Sequence, residues 1–186
     1  FSMRVVIPNE HREPIVLVKS WTGGLAGYAR GVAEFINWEP GTTFYDTNVG
    51  SGAIFVQLKA FDKAYLSVVN DPRLLLLYEA LKTDYRWVVK EAASYDVDRD
   101  TFEKLKVGPF SPGSELYLRS LGYRGCWTGN HVRLRKGKPE HVAAWEHSLA
   151  TMAAVNYKLS KVEFVQGNYG VSADITLYHD PAEVTT

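Results

Sequence analysis

The sequence predicts an α/β domain whose sheet is mostly parallel and which carries an inserted polar, basic segment. Short apolar runs of strand length alternate along the chain with stretches of helical period, the order expected when helices cover a parallel sheet. A polar stretch over residues 94–139 interrupts that alternation. The composition supports one core: 186 residues, 46% hydrophobic and 23% charged, with 8 Phe, 11 Tyr and 5 Trp. Lys and Arg total 21 and Asp and Glu total 21, so no net field draws the whole chain to nucleic acid or an anionic membrane. The single cysteine, Cys126, excludes an intramolecular disulfide and a cysteine-built zinc site. The longest aliphatic run, residues 74–77, is far too short to span a bilayer, and a cytoplasmic protein without a membrane partner is expected.

Each element follows from local pattern. Residues 1–14 are polar, contain Pro8 and Pro14, and read as a lead-in segment. A β-branched run at 15–18 precedes the turn Trp21-Thr22-Gly23-Gly24. Ala29, Val32, Ala33 and Ile36 then fall at helical spacing within 28–37. Residues 44–46 read as a strand that ends in Asn48-Val49-Gly50-Ser51-Gly52, and the apolar stretch 53–58 reads as opening a helix. A valine-rich strand is expected over 64–69. Pro72 then suits the first turn of a helix running through Leu77, Leu81 and Val88.

Residues 96–106 are charged and predict a solvated helix, and Gly108-Pro109-Phe110-Ser111-Pro112-Gly113 predicts a loop. One helix is expected over 140–158, on Val142, Trp145, Leu149, Met152 and Val155, with strands at 162–165 and 175–178. The expected organisation is a lead-in at 1–14, an α/β core at 15–93 and 140–186, and an insert at 94–139. The five histidines show no ligand spacing, so no metal is expected, and no serine or cysteine sits in a nucleophile elbow.

A strand running into Asp46-Thr47-Asn48-Val49-Gly50-Ser51-Gly52 suits a nucleotide-type binding turn, because glycines let the backbone approach a ligand at the carboxyl end of a strand. It belongs to an ordered series: Trp21-Thr22-Gly23-Gly24, then Val49-Gly50-Ser51-Gly52-Ala53-Ile54-Phe55, Ala64-Tyr65-Leu66, Asn70-Asp71-Pro72-Arg73-Leu74 and Tyr78-Glu79-Ala80-Leu81-Lys82. It continues with Tyr117-Leu118, Gly125, Gly167-Asn168-Tyr169 and Tyr178-His179-Asp180-Pro181. Over residues 15–181 this series resembles the Dam-type adenine-specific DNA methyltransferases. The resemblance implies a methyltransferase-type, Rossmann-like sheet and a viral or bacterial setting. It also implies an S-adenosylmethionine site at Trp21, Gly23, Gly24, Asp46, Gly50 and Gly52, and a catalytic motif beginning at Asp180 and Pro181. In that family the target adenine is flipped from the duplex and held by stacking.

The chain departs from the family pattern where the chemistry sits. Leu25 stands for the lysine of the first motif, and Thr47 and Asn48 stand for Pro-Phe in the second. Val68 falls where a ribose-binding acid is expected, with Asp71 three residues on. Ala182 and Glu183 replace the Pro-Tyr that completes the last motif. Losing a base-stacking ring forfeits about 1–3 kcal/mol. The expectation is a degenerate methyltransferase-fold protein, catalytically inactive, that serves as an assembly subunit or DNA-binding accessory and binds S-adenosylmethionine weakly or not at all. An active adenine methyltransferase and a regulatory module that binds S-adenosylmethionine are the alternatives.

Two partner expectations complete the reading. Tyr123, Arg124, Arg133, Arg135, Lys136 and Lys138 lie in a stretch without any acid and suit phosphate contact with double-stranded DNA. Family members continue beyond the last motif, so a C-terminally truncated sheet is expected. Its edge strand at 175–178 would be covered by self-association or another chain.

Overall fold

Strand propensity and helix punctuation decide most of the elements. The computed structural model describes residues 29–38, 43–58, 61–122, 139–166 and 171–178. Helix α1, Ala29–Trp38, buries Ala33 and Ile36. Strand β1, Thr43–Asp46, is followed by a glycine turn and a 3-10 turn at Phe55–Gln57, where one short turn forms in place of the expected helix. Strand β2, Lys63–Ser67, leads through Asn70-Asp71 into α2, Pro72–Ala93. Pro72 occupies the first helical turn, and the Asp71 carboxylate accepts from the Leu74 N–H at 3.1 Å, meeting an amide that the helix start leaves unpaired.

Helices α3, Arg99–Val107, and α4, Pro112–Leu121, follow. Helix α4 packs on α2 and α3 packs on α4, and Phe102, Leu116, Tyr117 and Leu118 belong to the same hydrophobic cluster as Phe44 and Leu66. The stretch expected to be solvated at 96–106 therefore carries one fully buried ring, Phe102. The loop expected at 108–113 ends two residues early, because Ser111 caps a helix that starts at Pro112. The single helix expected over 140–158 is two, α5, Pro139–Ala150, and α6, Met152–Leu159. Thr151 separates them; its hydroxyl donates to Ser148 O at 2.7 Å, a local bond that competes with helix continuation.

Strands β3, Val162–Val165, and β4, Ile175–Leu177, complete a four-stranded sheet in the order β3-β2-β1-β4. Every pairing is parallel: Phe44 stands opposite Ala64 on one side and Ile175 on the other, and Ala64 stands opposite Val162. The central strand β1 is the most buried, as a parallel sheet covered on both faces requires. No helix among the described residues is long and apolar enough to cross a membrane.

Candidate functional site

The strand order runs outward from β1 through β2 to β3 and then returns to place β4 on the other side of β1. The order reverses between β1 and β4, and in open parallel sheets ligands bind outside the carboxyl ends of the strands at such a reversal. The segment at that position is the glycine turn. Asp46, 2% exposed at the end of β1, accepts the Asn48 N–H at 2.9 Å and bends the chain out of the strand. Thr47 ties the turn to β4, its N–H and its hydroxyl each donating to Leu177 O at 3.1 Å. On the other side Val49 N–H donates to Ser67 O of β2 at 3.0 Å.

Gly50 and Gly52 adopt φ of 52° and 74°, in the left-handed region that a side chain disfavours. Gly52 N–H closes the turn on Val49 O at 2.9 Å. Among the described residues neither the Gly50 nor the Ser51 N–H has a hydrogen-bond partner, although Ser51 is buried. Buried backbone donors are nearly always satisfied, so the buried Ser51 N–H, with the half-buried Gly50 N–H beside it, suits a carboxylate or phosphate. The Gly50 carbonyl is engaged by the Tyr78 hydroxyl of α2.

A buried ionic network lies beside the turn, at the start of α2. Arg119 donates to Asp71 through both terminal nitrogens, at 2.7 and 2.8 Å, and through Nε to Glu115 at 2.8 Å. Arg73 grips the other Glu115 oxygen at 2.8 and 2.6 Å and lies over the Phe110 ring. Burial opposes the Arg119 charge, but its hydrogen bonds and attraction to Asp71 and Glu115 outweigh that and raise its pKa. Burial pushes the Tyr78 phenol well above the ordinary tyrosine value, so its hydroxyl keeps its proton and remains a donor.

The structure thus brings together Asp46, Gly50 and Gly52 of the expected cofactor site. Trp21, Gly23 and Gly24 lie outside the described residues, as do Asp180, Pro181, Ala182 and Glu183, and so do Tyr123, Arg124, Arg133, Arg135, Lys136 and Lys138. Val68 packs against the hydrophobic core and offers no carboxylate, while Asp71 is committed to Arg119 and to the cap of α2. Sequence reasoning gave Tyr78, Glu115 and Arg119 no role, although Tyr78 stood in a segment that carried the resemblance. Among the described residues no group of three or more His, Cys, Asp or Glu converges as a metal ion needs. No protein-family model matches the chain, and no curated protein matches it either.

Proposed function

We propose that this chain is a methyltransferase-fold protein of the adenine-specific DNA methyltransferase kind that acts by binding rather than by methyl transfer. It holds an adenosyl cofactor at the β1–β4 reversal and duplex DNA along the basic segment 123–138, as an accessory or assembly subunit. The observation that carries the reading is the left-handed glycine turn at the reversal, with two N–H groups beside the end of β1 that have no hydrogen-bond partner among the described residues. These donors fit the carboxylate of the methionine portion of S-adenosylmethionine. The ribose is less well served, because Val68 has no acid and Asp71 is already held by Arg119. S-adenosylmethionine supplies an electrophilic methyl group when bound. Ala182 and Glu183 remove the ring that would stack the target base.

Titration calorimetry and a methyl-transfer assay test this together. A dissociation constant of about 0.1 mM or weaker for S-adenosylmethionine, near −5.5 kcal/mol, is expected, with no label transferred to duplex DNA. Duplex affinity is expected to fall with salt, and replacing Arg133, Arg135 and Lys136 by alanine to flatten the slope by about three units. No binding at millimolar cofactor overturns the nucleoside reading, and salt-independent binding overturns the phosphate reading. The intact glycine turn favours one second reading, an active methyltransferase, which label transfer above a protein-free control would establish.

A further inference from the structure

We propose that Tyr78 is the positioning residue of the glycine turn: its hydroxyl latches the Gly50 carbonyl and fixes the left-handed backbone whose N–H groups meet the ligand. The consequence for a ligand rests on the binding function proposed above; the latch itself does not. Tyr78 is fully buried in α2, about two turns beyond the Asp71–Arg119 contact, and its ring stacks on Phe164 of β3 with centroids 6.4 Å apart. The ring is therefore held by the core independently of its hydroxyl. That hydroxyl crosses from α2 to the loop after β1 and donates to Gly50 O.

Gly50 at φ 52° has no steric preference for that conformation over others, so something outside it must select one. The Val49 bond to Ser67 and the Gly52 bond to Val49 fix the flanks. Only the Tyr78 bond acts on the Gly50 carbonyl among the described residues. Turning that peptide would leave a buried phenol and a carbonyl both unpaired. With the carbonyl drawn towards α2, the Gly50 and Ser51 N–H groups are left without a partner among the described residues, which is the state a ligand needs. Preorganisation of this kind raises affinity by removing the cost of ordering the loop at binding.

Amide exchange and S-adenosylmethionine titration followed by NMR on the whole chain separate the possibilities. In Tyr78→Phe, which keeps the ring, the protected amides of Val49, Gly52 and Val56 are expected to exchange about tenfold faster. Those of Phe44 and Leu66 in the central strands should hold their rates, and cofactor affinity should fall about tenfold. Phe102→Leu, a core change on α3 whose ring packs against Tyr117 of α4, should alter neither turn exchange nor affinity. Gly50→Ala strains the same peptide without touching the tyrosine and should reproduce the turn signature, which serves if Tyr78→Phe fails to fold. Turn exchange unchanged in Tyr78→Phe, or rising in step with the central strands, overturns the latch. Faster turn exchange with undiminished affinity overturns the positioning role. A wild-type chain that binds no S-adenosylmethionine defeats the proposed function, while the exchange comparison still decides the latch.

Discussion

Glu115 is fully buried, yet it is an acid on a helix whose sequence reads as surface; its two oxygens are divided between Arg73 and Arg119. Burying such a group is tolerable only while every charge has its partner, so removing one partner costs more than the pair contributes. Glu115→Leu is expected to lower stability by about 3–5 kcal/mol in urea unfolding at neutral pH, because Arg119 stays buried and half-paired. Adding Arg119→Met should recover part of that loss, and a double variant no better than the single would show that Arg119 was not the stranded charge. The buried phenols supply a pH prediction. Burial raises Tyr78 and Tyr117 above the ordinary tyrosine value, so both keep their protons in the fold after the unfolded chain has lost them. Their contribution is complete below about pH 10 and is lost as pH rises beyond it, at about 1.4 kcal/mol per pH unit for each ring. Denaturant midpoints from pH 9 to 11.5 should fall accordingly, and Tyr117→Phe should shallow the fall. An equal slope in that variant would assign the alkaline loss to other groups.

Elements show how far pattern reading reaches. The strands and α2 were legible because short apolar and aromatic runs bounded by turn residues, and Pro72, are local signals. Asp46, Gly50 and Gly52 were legible as a turn for the same reason. Helix α4 was not, since Glu115 and Arg119 disguise a helix that is buried almost all round, and their pairing with Arg73 and Asp71 is fixed only by packing on α2. The contact between those helices is exacting. Glu91 of α2 accepts from Ser114 N at 3.1 Å and from the Ser111 hydroxyl, capping the start of α4. A Cβ on Gly113 would lie 2.6 Å from the Glu91 Cβ, so only glycine lets α4 approach. Gly113→Ala should cost about 1–3 kcal/mol in denaturant unfolding. An unchanged midpoint would mean that α4 can slide on α2. The same helix α2 breaks at Asp84, φ −153° and ψ 60°, ahead of which the Leu81 and Lys82 carbonyls are met at 2.9 Å by the Asn156 amide of α6. Asn156→Ala should cost about 1–3 kcal/mol, since those carbonyls then lack a donor. A loss below that range would mean water replaces the amide there.

Across the whole molecule the central strand β1 draws its two neighbours from opposite parts of the chain, β2 close by in sequence and β4 far along it. The far closure is clipped at its start by a contact between Thr43 and Asp174. Thr43 N–H and its hydroxyl donate to the Asp174 carboxylate at 3.1 and 3.0 Å, and the Asp174 N–H returns to the Thr43 hydroxyl at 2.8 Å. This reciprocal contact sets the register that places Thr176 opposite Tyr45 and Leu177 opposite Asp46. A slip by one residue would turn the apolar side chains of β4 to the other face. At the far end of the same short strand, Leu177 O receives both donors of Thr47, so the seating of the glycine turn depends on a register set at the other end. Asp174→Ala removes the carboxylate and leaves the Thr43 hydroxyl and N–H to water. The clip is exposed, so the direct loss is about 1 kcal/mol. The larger signature should be local: the Thr47 amide is expected to exchange about five- to tenfold faster, while the Leu66 amide on the far side of β1 keeps its rate. Uniform acceleration across β1 and β2 would mean that β4 unfolds only with the whole sheet, and that the turn is seated by β2 and Tyr78 alone.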